Sequence, residues 1–241
     1  MRSDGRTLAE LRPINFDCGF IEHHAGSVVV SFGKTRVLTT ALLTDGIPRF
    51  RKDEGKSGWL TAEYGMLPAS TLTRKRRASG GRTDGRSVEI QRLIGRSLRQ
   101  VINLDMLGDH TLQIDCDVLQ ADGGTRTAAI TGSYVAVALC LKDAIAQKKL
   151  KCASLAGVLT HQIAAVSLGI KNGEILTDLC YEEDVAVDTD FNLVARSDGA
   201  IVEMQGTAEG AAMTRGEVDQ LLSHGLASIE TLCAKQREAL A

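Results

Sequence analysis

Aromatic side chains are scarce in this sequence, and their scarcity limits how the protein can hold a ligand. Phe, Trp and Tyr make up 4% of the 241 residues, with a single Trp. Proteins that bind single-stranded nucleic acid without sequence preference usually stack the bases on aromatic rings. We therefore expect any contact with nucleic acid to depend mainly on charged groups.

Long apolar runs and paired cysteines are also missing. No apolar run approaches the roughly 18 residues that predict a membrane span, and the chain begins with polar residues. The six cysteines include no Cys-x-x-Cys pair and fall mostly in apolar patterns, which favours buried free thiols over zinc sites or disulfides. We therefore expect a cytoplasmic protein without a membrane partner. An apolar content of 44% also predicts a globular protein, because it is enough for one sizeable domain or two subdomains.

Two glycines separate an alternating segment from a long apolar segment. Residues 112–118 alternate apolar and polar side chains, which predicts a strand, and residues 127–146 predict a largely buried helix. The free N–H groups and the dipole at a helix start favour an anion, and glycines let it approach the backbone. The sequence Asp122-Gly123-Gly124-Thr125-Arg126 therefore predicts a phosphate site that includes the planar guanidinium of Arg126. The alternative is a tight turn with Arg126 in solvent.

Basic residues concentrate between positions 74 and 99. This segment has a net charge of plus seven, although the whole chain has a net charge of −2. Such a segment favours a polyanion or an acidic surface on a neighbouring subunit as a partner, and a solvated surface run is the alternative. Apolar spacings of three and four predict a helix over residues 87–104. The candidates for RNA or subunit contact are Arg74, Arg76, Arg77, Arg92, Arg96 and Arg99.

Arg86 differs from the other arginines because it precedes the apolar stripe. It projects roughly 80° from the centre of that stripe, so its side chain can reach toward an interior site. A cation at a helix start is disfavoured by the dipole unless an anion compensates it. Arg86 is therefore a second candidate for phosphate binding, and a snorkelling arginine is the alternative.

Carboxylates cluster between positions 178 and 190. Six residues of straight strand would separate Asp178 from Asp184 by roughly 20 Å. The two side chains could share a divalent metal, or one could act as a general acid, only if the chain reverses between them. An exposed acidic hairpin is the alternative.

The remaining pattern predicts an α+β fold. Strands are expected at residues 27–32, 36–43, 59–67, 155–168, 174–181, 186–195 and 200–205, with mobile loops at residues 50–58 and 74–85. Thr214 and Glu217 form a capping box that begins the last helix. The pattern predicts two strand-and-helix subdomains, at residues 1–150 and 151–241.

Four motifs resemble bacterial ribonuclease PH. They are residues 4–6, 58–68, 89–99 and 115–126, and the resemblance covers essentially the whole chain. It implies a first part similar to ribosomal protein S5 domain 2, a second part with the ribonuclease PH fold, and a homohexameric ring built from dimers. It also implies a phosphate-dependent 3′ to 5′ exoribonuclease, or tRNA nucleotidyltransferase. Such an enzyme trims tRNA precursors and other RNA 3′ ends, releases nucleoside diphosphates and can run in reverse.

The resemblance also implies roles for particular residues. Arg86, Gly124, Thr125 and Arg126 match the site for inorganic phosphate, the co-substrate. Asp178 and Asp184 match an acidic pair expected to be catalytic and to hold a divalent metal, Mg²⁺.

The chain departs from the family pattern at two places. Val185 stands where many relatives are expected to have serine, which concerns the metal surroundings. Residues 69–72 lack the expected arginine and histidine, which concerns loop contacts with RNA or with other subunits.

Two other functions are considered. One is a noncatalytic RNA-binding ring subunit of an exosome-like assembly, and the other is an unrelated phosphate-binding metabolic transferase. The presence of Arg86, Arg126, Asp178 and Asp184 argues against the first. The lack of a Gly-x-x-x-x-Gly-Lys-Ser/Thr motif argues against a P-loop form of the second.

Overall fold

The computed structural model describes residues 2–77, 84–210 and 212–241. Within these ranges the chain forms nine strands and five α-helices. The strands are β1 Ile14–Cys18, β2 Ser27–Phe32, β3 Thr35–Asp45, β4 Trp59–Met66, β5 His110–Gln120, β6 Ile163–Lys171, β7 Glu174–Thr177, β8 Thr189–Arg196 and β9 Ile201–Ala208. The helices are α1 Arg49–Asp53, α2 Gly85–Arg99, α3 Thr125–Ala146, α4 Tyr181–Asp184 and α5 Arg215–Leu240.

The strands form two sheets. The first has the order β1-β2-β3-β5-β4, and its neighbours are antiparallel except for the parallel pair of β4 and β5. The second is antiparallel throughout, with the order β7-β6-β8-β9. The predicted hairpin is confirmed by the pairing of β2 with β3. The two sheets and their helices make the α+β fold that the sequence predicts.

Helix α3 lies between the two sheets. It packs against β2 and β3 of the first sheet and against β6 of the second. Its approach to β2 is so close that a Cβ at Gly132 would lie 2.5 Å from Cγ1 of Val30. The sequence was expected to contain no segment apolar enough to span a membrane, but α3 is long and apolar enough to do so. However, 78% of its most apolar stretch is buried inside the protein. Since one helix serves both sheets, α3 is the central element of the core.

The structure corrects several of the predicted elements, and the strand predicted at residues 174–181, for example, ends at Thr177 before α4 begins at Tyr181. The helix predicted over residues 87–104 ends at Arg99, because Ile102 instead forms a β-bridge with Leu159. Val158 and Thr160 form backbone hydrogen bonds with Asn103 and Val101, just after α2, and the strand predicted from residue 155 starts at residue 163. Strand β1 has no counterpart among the predictions.

Two segments were expected to be mobile loops. Residues 50–58 instead contain most of α1, which is held by an edge-to-face contact between the Phe50 and Trp59 rings and by Arg51, which donates to the carbonyls of Ser57 and Gly58. The loop predicted at residues 74–85 falls partly on residues 78–83, including Arg82, which lie outside the described residues. The capping box of Thr214 and Glu217 is confirmed at the start of α5.

Candidate active site

A turn of two glycines joins β5 to α3. Gly123 and Gly124 have φ angles of 74° and 64°, in the left-handed region that costs other residues roughly 1–2 kcal/mol. A Cβ at Gly123 would lie 2.5 Å from the carbonyl oxygen of Leu179. No side chain caps the start of α3, which leaves the first amides of the helix without the side-chain acceptor that usually caps them.

The turn is fastened on several sides. The Thr35 hydroxyl donates to the Gly123 carbonyl at 2.6 Å and accepts from the Asp122 amide at 2.9 Å. Arg12 donates to the Asp122 carbonyl at 2.5 Å, and the Tyr181 amide donates to the Asp122 carboxylate at 3.2 Å. These bonds fix the direction of the amides before a ligand arrives.

The side chains of the first two residues of α3 are also held. The Tyr64 hydroxyl donates to the Thr125 hydroxyl at 2.8 Å. Arg126 donates to Gln205 Oε1 at 2.7 Å and to Glu89 Oε1 at 3.3 Å. The Arg126 side chain is only 17% exposed, which contradicts the alternative in which it points into solvent.

Arg86 and Asp184 face the same space as Arg126. Asp84 caps α2 by accepting from the Arg86 amide at 3.3 Å, and Arg86 itself is exposed. Asp184 is exposed, yet partial loss of hydration raises the pKa of its carboxyl above 3.8, although the positive charges of Arg86 and Arg126 oppose that rise. Three of the predicted site residues therefore form one electrostatic group.

Asp190 on β8 joins this group. Burial, followed by the negative charge of Asp184, raises the pKa of Asp190 above 3.8, while Arg126 works against the rise. The Asn192 amide donates to both Asp190 oxygens at 3.3 Å. Asn192 is opposite Gln205 on β9, so these polar residues share the face of the second sheet that turns toward Arg126.

Asp178 lies elsewhere. The chain reverses after it through α4, but its carboxylate is fully buried and accepts from Arg12. Oδ2 accepts from the Arg12 amide at 2.8 Å and from Nε at 3.0 Å, while Oδ1 accepts from the terminal guanidinium nitrogen at 2.7 Å. The structure therefore brings Asp184 and Asp190 near the charge of Arg126, whereas the Asp178 carboxylate pairs with Arg12.

Two more arginines surround Asp178. Arg2 forms two bonds with Glu183, at 2.6 and 2.7 Å, and Arg6 donates to the Asp178 carbonyl at 3.0 Å. Burial alone would raise the pKa of Glu183, but the hydrogen bonds from Arg2 and the Cys180 amide, together with the charges of Arg2 and Arg6, hold the pKa below 4.5. This network of Arg2, Arg6, Arg12, Asp178 and Glu183, here called the arginine clamp, joins the start of the chain to α4.

The predicted RNA or subunit contacts have two different surroundings. Arg74, Arg76, Arg77 and Arg92 are exposed. Arg96 is also exposed but pairs with Glu203 at 2.7 Å. The Arg99 guanidinium lies 4.7 Å from the centre of the Trp59 ring and donates to the Leu60 carbonyl. Arg96 and Arg99 on α2 thus already make contacts within the chain.

A divalent metal can be tested against these carboxylates. In the described ranges, no three His, Cys, Asp or Glu side chains group in a way that would hold a metal. Magnesium often needs only one or two carboxylates, because water and substrate phosphates complete its shell. Asp184 with Asp190 fits that requirement, whereas Asp178 does not, because arginine groups occupy both of its oxygens.

Sequence reasoning did not place Arg12, Tyr64 or Gln205 in the site. Tyr64 and Arg12 lie 61 and 110 positions from the residues that they fasten. Two sequence features could have drawn attention to these regions: the motif that ends at Arg6 and the polar residues on β8 and β9. No local pattern showed which side chains would contact each other.

The comparisons with known proteins show the family of the chain. Residues 10–142 match the model of the 3′ exoribonuclease family, domain 1, and residues 161–228 match domain 2 of the same family. A protein named Ribonuclease PH from Mycobacterium sp. (strain KMS) is 54% identical over 240 residues, covering 99% of this chain and 91% of the relative. The chain belongs to the ribonuclease PH family. Ribonuclease PH from Mycobacterium tuberculosis (strain ATCC 25177 / H37Ra) is also 54% identical, over 100% of this chain and 92% of its own length.

Solved structures share the ribonuclease PH fold. Rice (Oryza sativa) Rrp46 has a TM-score of 0.78 at 18% identity, with 100% of each chain covered. A chain of the Archaeoglobus fulgidus exosome with RNA bound to the active site has a TM-score of 0.80 at 22% identity, covering 97% of this chain and 92% of that chain. As a member of the ribonuclease PH family, the protein is a phosphate-dependent 3′ exoribonuclease, and the noncatalytic alternative is not favoured.

Proposed function

We propose that this enzyme trims the 3′ ends of tRNA precursors and other RNAs in the cytoplasm, releasing nucleoside diphosphates. The observation that carries the proposal is the start of α3. It has no side-chain cap, and its second residue, Arg126, acts by its positive charge on the carboxylate of Asp184. A site with fixed amides and arginines next to a carboxylate suits phosphoryl transfer, because positioning and charge neutralisation supply most of that catalysis.

Inorganic phosphate binds at the glycine turn in this proposal. The amides of Gly124 and Thr125 donate to its oxygens, and the guanidiniums of Arg86 and Arg126 neutralise its charge. Gln205 and Glu89 hold the Arg126 side chain from two other elements, so the guanidinium has little freedom to lose on binding.

The bound hydrogen phosphate then attacks the phosphorus of the last internucleotide linkage. A new phosphorus–oxygen bond forms, and the bond from that phosphorus to the preceding 3′-oxygen breaks. The 3′-oxygen takes up the proton that hydrogen phosphate gives up, leaving a shortened RNA and a nucleoside diphosphate. Because one phosphoester is exchanged for another, the reaction is reversible.

Asp184 and Asp190 would hold the magnesium ion. When bound, the ion would neutralise negative charge on the reacting phosphoryl oxygens. Without it, the two carboxylates repel each other, as the effect of Asp184 on the pKa of Asp190 indicates.

The RNA and the oligomer complete the proposal. The exposed side chains of Arg74, Arg76, Arg77 and Arg92 contact the RNA backbone or a neighbouring subunit of a homohexameric ring. Residues 1–150 supply the phosphate site, and residues 151–241 supply Asp184, Asp190 and Gln205. The position of the first sheet within residues 1–150 and of the second within residues 151–241 supports this division.

A phosphorolysis assay tests the proposed function. A tRNA with a 3′ extension is incubated with the enzyme, magnesium and labelled phosphate, and the products are separated. We expect labelled nucleoside diphosphates, and no release of nucleotides without phosphate. Nucleoside monophosphates released at the same rate without phosphate would show a hydrolase and refute the proposal.

A further inference from the structure

The buried ion pair of Arg12 and Asp178 lies directly behind the glycine turn. We propose that Asp178 is a positioning residue, whose carboxylate fixes Arg12 and through it the turn that receives phosphate. The proposal rests on the function above, and it assigns Asp178 a role other than metal binding.

Asp178 has no free position for an ion. Its side chain is fully buried, and three nitrogens of Arg12 donate to its two oxygens within 3.0 Å. Asp178 also has a φ angle of 56°, a conformation that is retained only where the surroundings hold it in place. To bind a metal, the carboxylate would have to leave a buried arginine unpaired, which is strongly destabilising.

Arg12 connects this carboxylate to the turn. The nitrogen of Arg12 that does not bond to Asp178 donates to the Asp122 carbonyl at 2.5 Å. Its other terminal nitrogen would lie 3.0 Å from a Cβ at Gly124. Because the guanidinium is planar and rigid, a change in its contact with Asp178 moves the contact with Asp122.

The glycine turn determines the position and direction of the amides that bind phosphate in this proposal. Asp122 and Gly124 flank Gly123, and α3 begins at Thr125. Displacements of about 1 Å in a group that binds a reacting ligand can cost roughly 100-fold in rate. Thr35 and Tyr181 also fasten the turn, so losing the Arg12 contact loosens the turn without unfolding it.

The test compares two variants of this pair with a matched control. Asp178→Asn keeps the side-chain shape but cannot accept from all three nitrogens, and Arg12→Lys loses the bond to Asp122. Glu183→Gln is the control, because Glu183 forms a similarly buried ion pair with Arg2. In the part of the chain that the structure describes, neither side chain of this pair bonds to the glycine turn. Three quantities are measured: the KM for phosphate, the magnesium concentration for half-maximal activity, and the rise in melting temperature caused by inorganic phosphate alone.

We expect Asp178→Asn and Arg12→Lys to raise the KM for phosphate about tenfold or more. In both variants, phosphate should no longer raise the melting temperature. The magnesium concentration for half-maximal activity should stay at the wild-type value. Glu183→Gln should melt at a lower temperature but keep the phosphate effect, and Asp184→Asn should change the magnesium requirement.

Other results would overturn the proposal. One is a wild-type phosphate effect in folded Asp178→Asn, and another is a magnesium shift in Asp178→Asn equal to that of Asp184→Asn. If both variants of the pair fail to fold while Glu183→Gln folds, the pair serves stability and the positioning role is refuted. Absence of phosphorolysis in the wild-type enzyme would instead refute the proposed function.

Discussion

Arg126 shows how a single side chain is prepared for its ligand. Gln205 accepts from it at 2.7 Å and Glu89 at 3.3 Å, and the Gln205 amide also lies within 3.4 Å of Glu89. The neutral Gln205 orients the guanidinium without cancelling its charge, so the charge remains available to phosphate. Glu89 is 45% exposed, so water screens its charge, and it neutralises the charge of Arg126 less than a buried carboxylate would.

Replacing Gln205 should therefore weaken phosphate binding. A hydrogen bond to a charged group contributes about 1.5–3 kcal/mol, so we expect Gln205→Leu to raise the KM for phosphate roughly 10- to 100-fold. The turnover number at saturating phosphate should change much less, because the reacting groups remain.

Steady-state kinetics with varied phosphate measure this effect. Gln147→Leu serves as the control, since it makes the same change at a glutamine that donates to Asp143 just after the other end of α3, and its KM should stay near the wild-type value. An unchanged KM in Gln205→Leu would show that Arg126 needs no support from β9.

At the scale of the element, the start of α3 combines two requirements. The turn before it must adopt left-handed angles at Gly123 and Gly124, and it must pass close to the chain at Leu179. The first requirement is local, whereas the second depends on the position of α4. Helix α3 also has almost no exposed side, because it is covered by both sheets.

Gly123→Ala should separate these two requirements. Gly199 has a similar positive φ of 83° but open space around a Cβ, so Gly199→Ala should lose only about 1–2 kcal/mol of unfolding free energy. Gly123→Ala should lose more, because its Cβ would meet the Leu179 carbonyl at 2.5 Å.

Denaturant unfolding with and without phosphate checks this prediction. Gly199→Ala should keep the stabilisation by phosphate, and Gly123→Ala should lose it. Equal losses of stability in the two variants would mean that the close approach at Leu179 is easily relieved.

At the scale of the whole molecule, the arginine clamp joins distant parts of the chain. Residues 2–12 contribute its arginines, and residues 178–183 contribute its carboxylates. Buried charges are tolerated there because each is paired. Stability should therefore depend on the ionisation of these carboxylates.

Acid should weaken the clamp in a defined direction. The folded-state pKa of Glu183 is below 4.5, so its stabilising effect is complete above that pH and is lost as the pH falls through the depressed value. At pH 7, Glu183→Gln should lower the unfolding free energy by about 3 kcal/mol. The melting-temperature difference from wild type should shrink below pH 4.5, and a difference that stayed constant would refute the link to Glu183 ionisation.

The exposed basic side chains also act at this scale. Replacing Arg74, Arg76 and Arg77 together with Ala should weaken tRNA binding and flatten its dependence on salt, because fewer counterions are released. The triple variant Arg49→Ala, Arg215→Ala and Lys235→Ala removes equal charge elsewhere as a control. Native mass determination shows whether a loss of binding reflects a loss of the ring instead. Wild-type binding with an unchanged salt slope would exclude these arginines from the RNA contact.

The sequence by itself predicted the features that depend on local order. The glycine turn before α3, the hairpin of β2 and β3, the apolar face of α2 and the capping box of α5 all follow from spacing and composition within short windows. The motifs also indicated the family, and the comparisons confirmed it.

Only the tertiary structure decided which distant groups meet. Asp178 and Asp184 are six positions apart, yet one faces Arg12, which is 166 positions away, and the other faces Arg126. Gln205 reaches Arg126 across 79 positions. Such contacts depend on how the two sheets pack around α3, and no periodicity within a strand or helix specifies that packing.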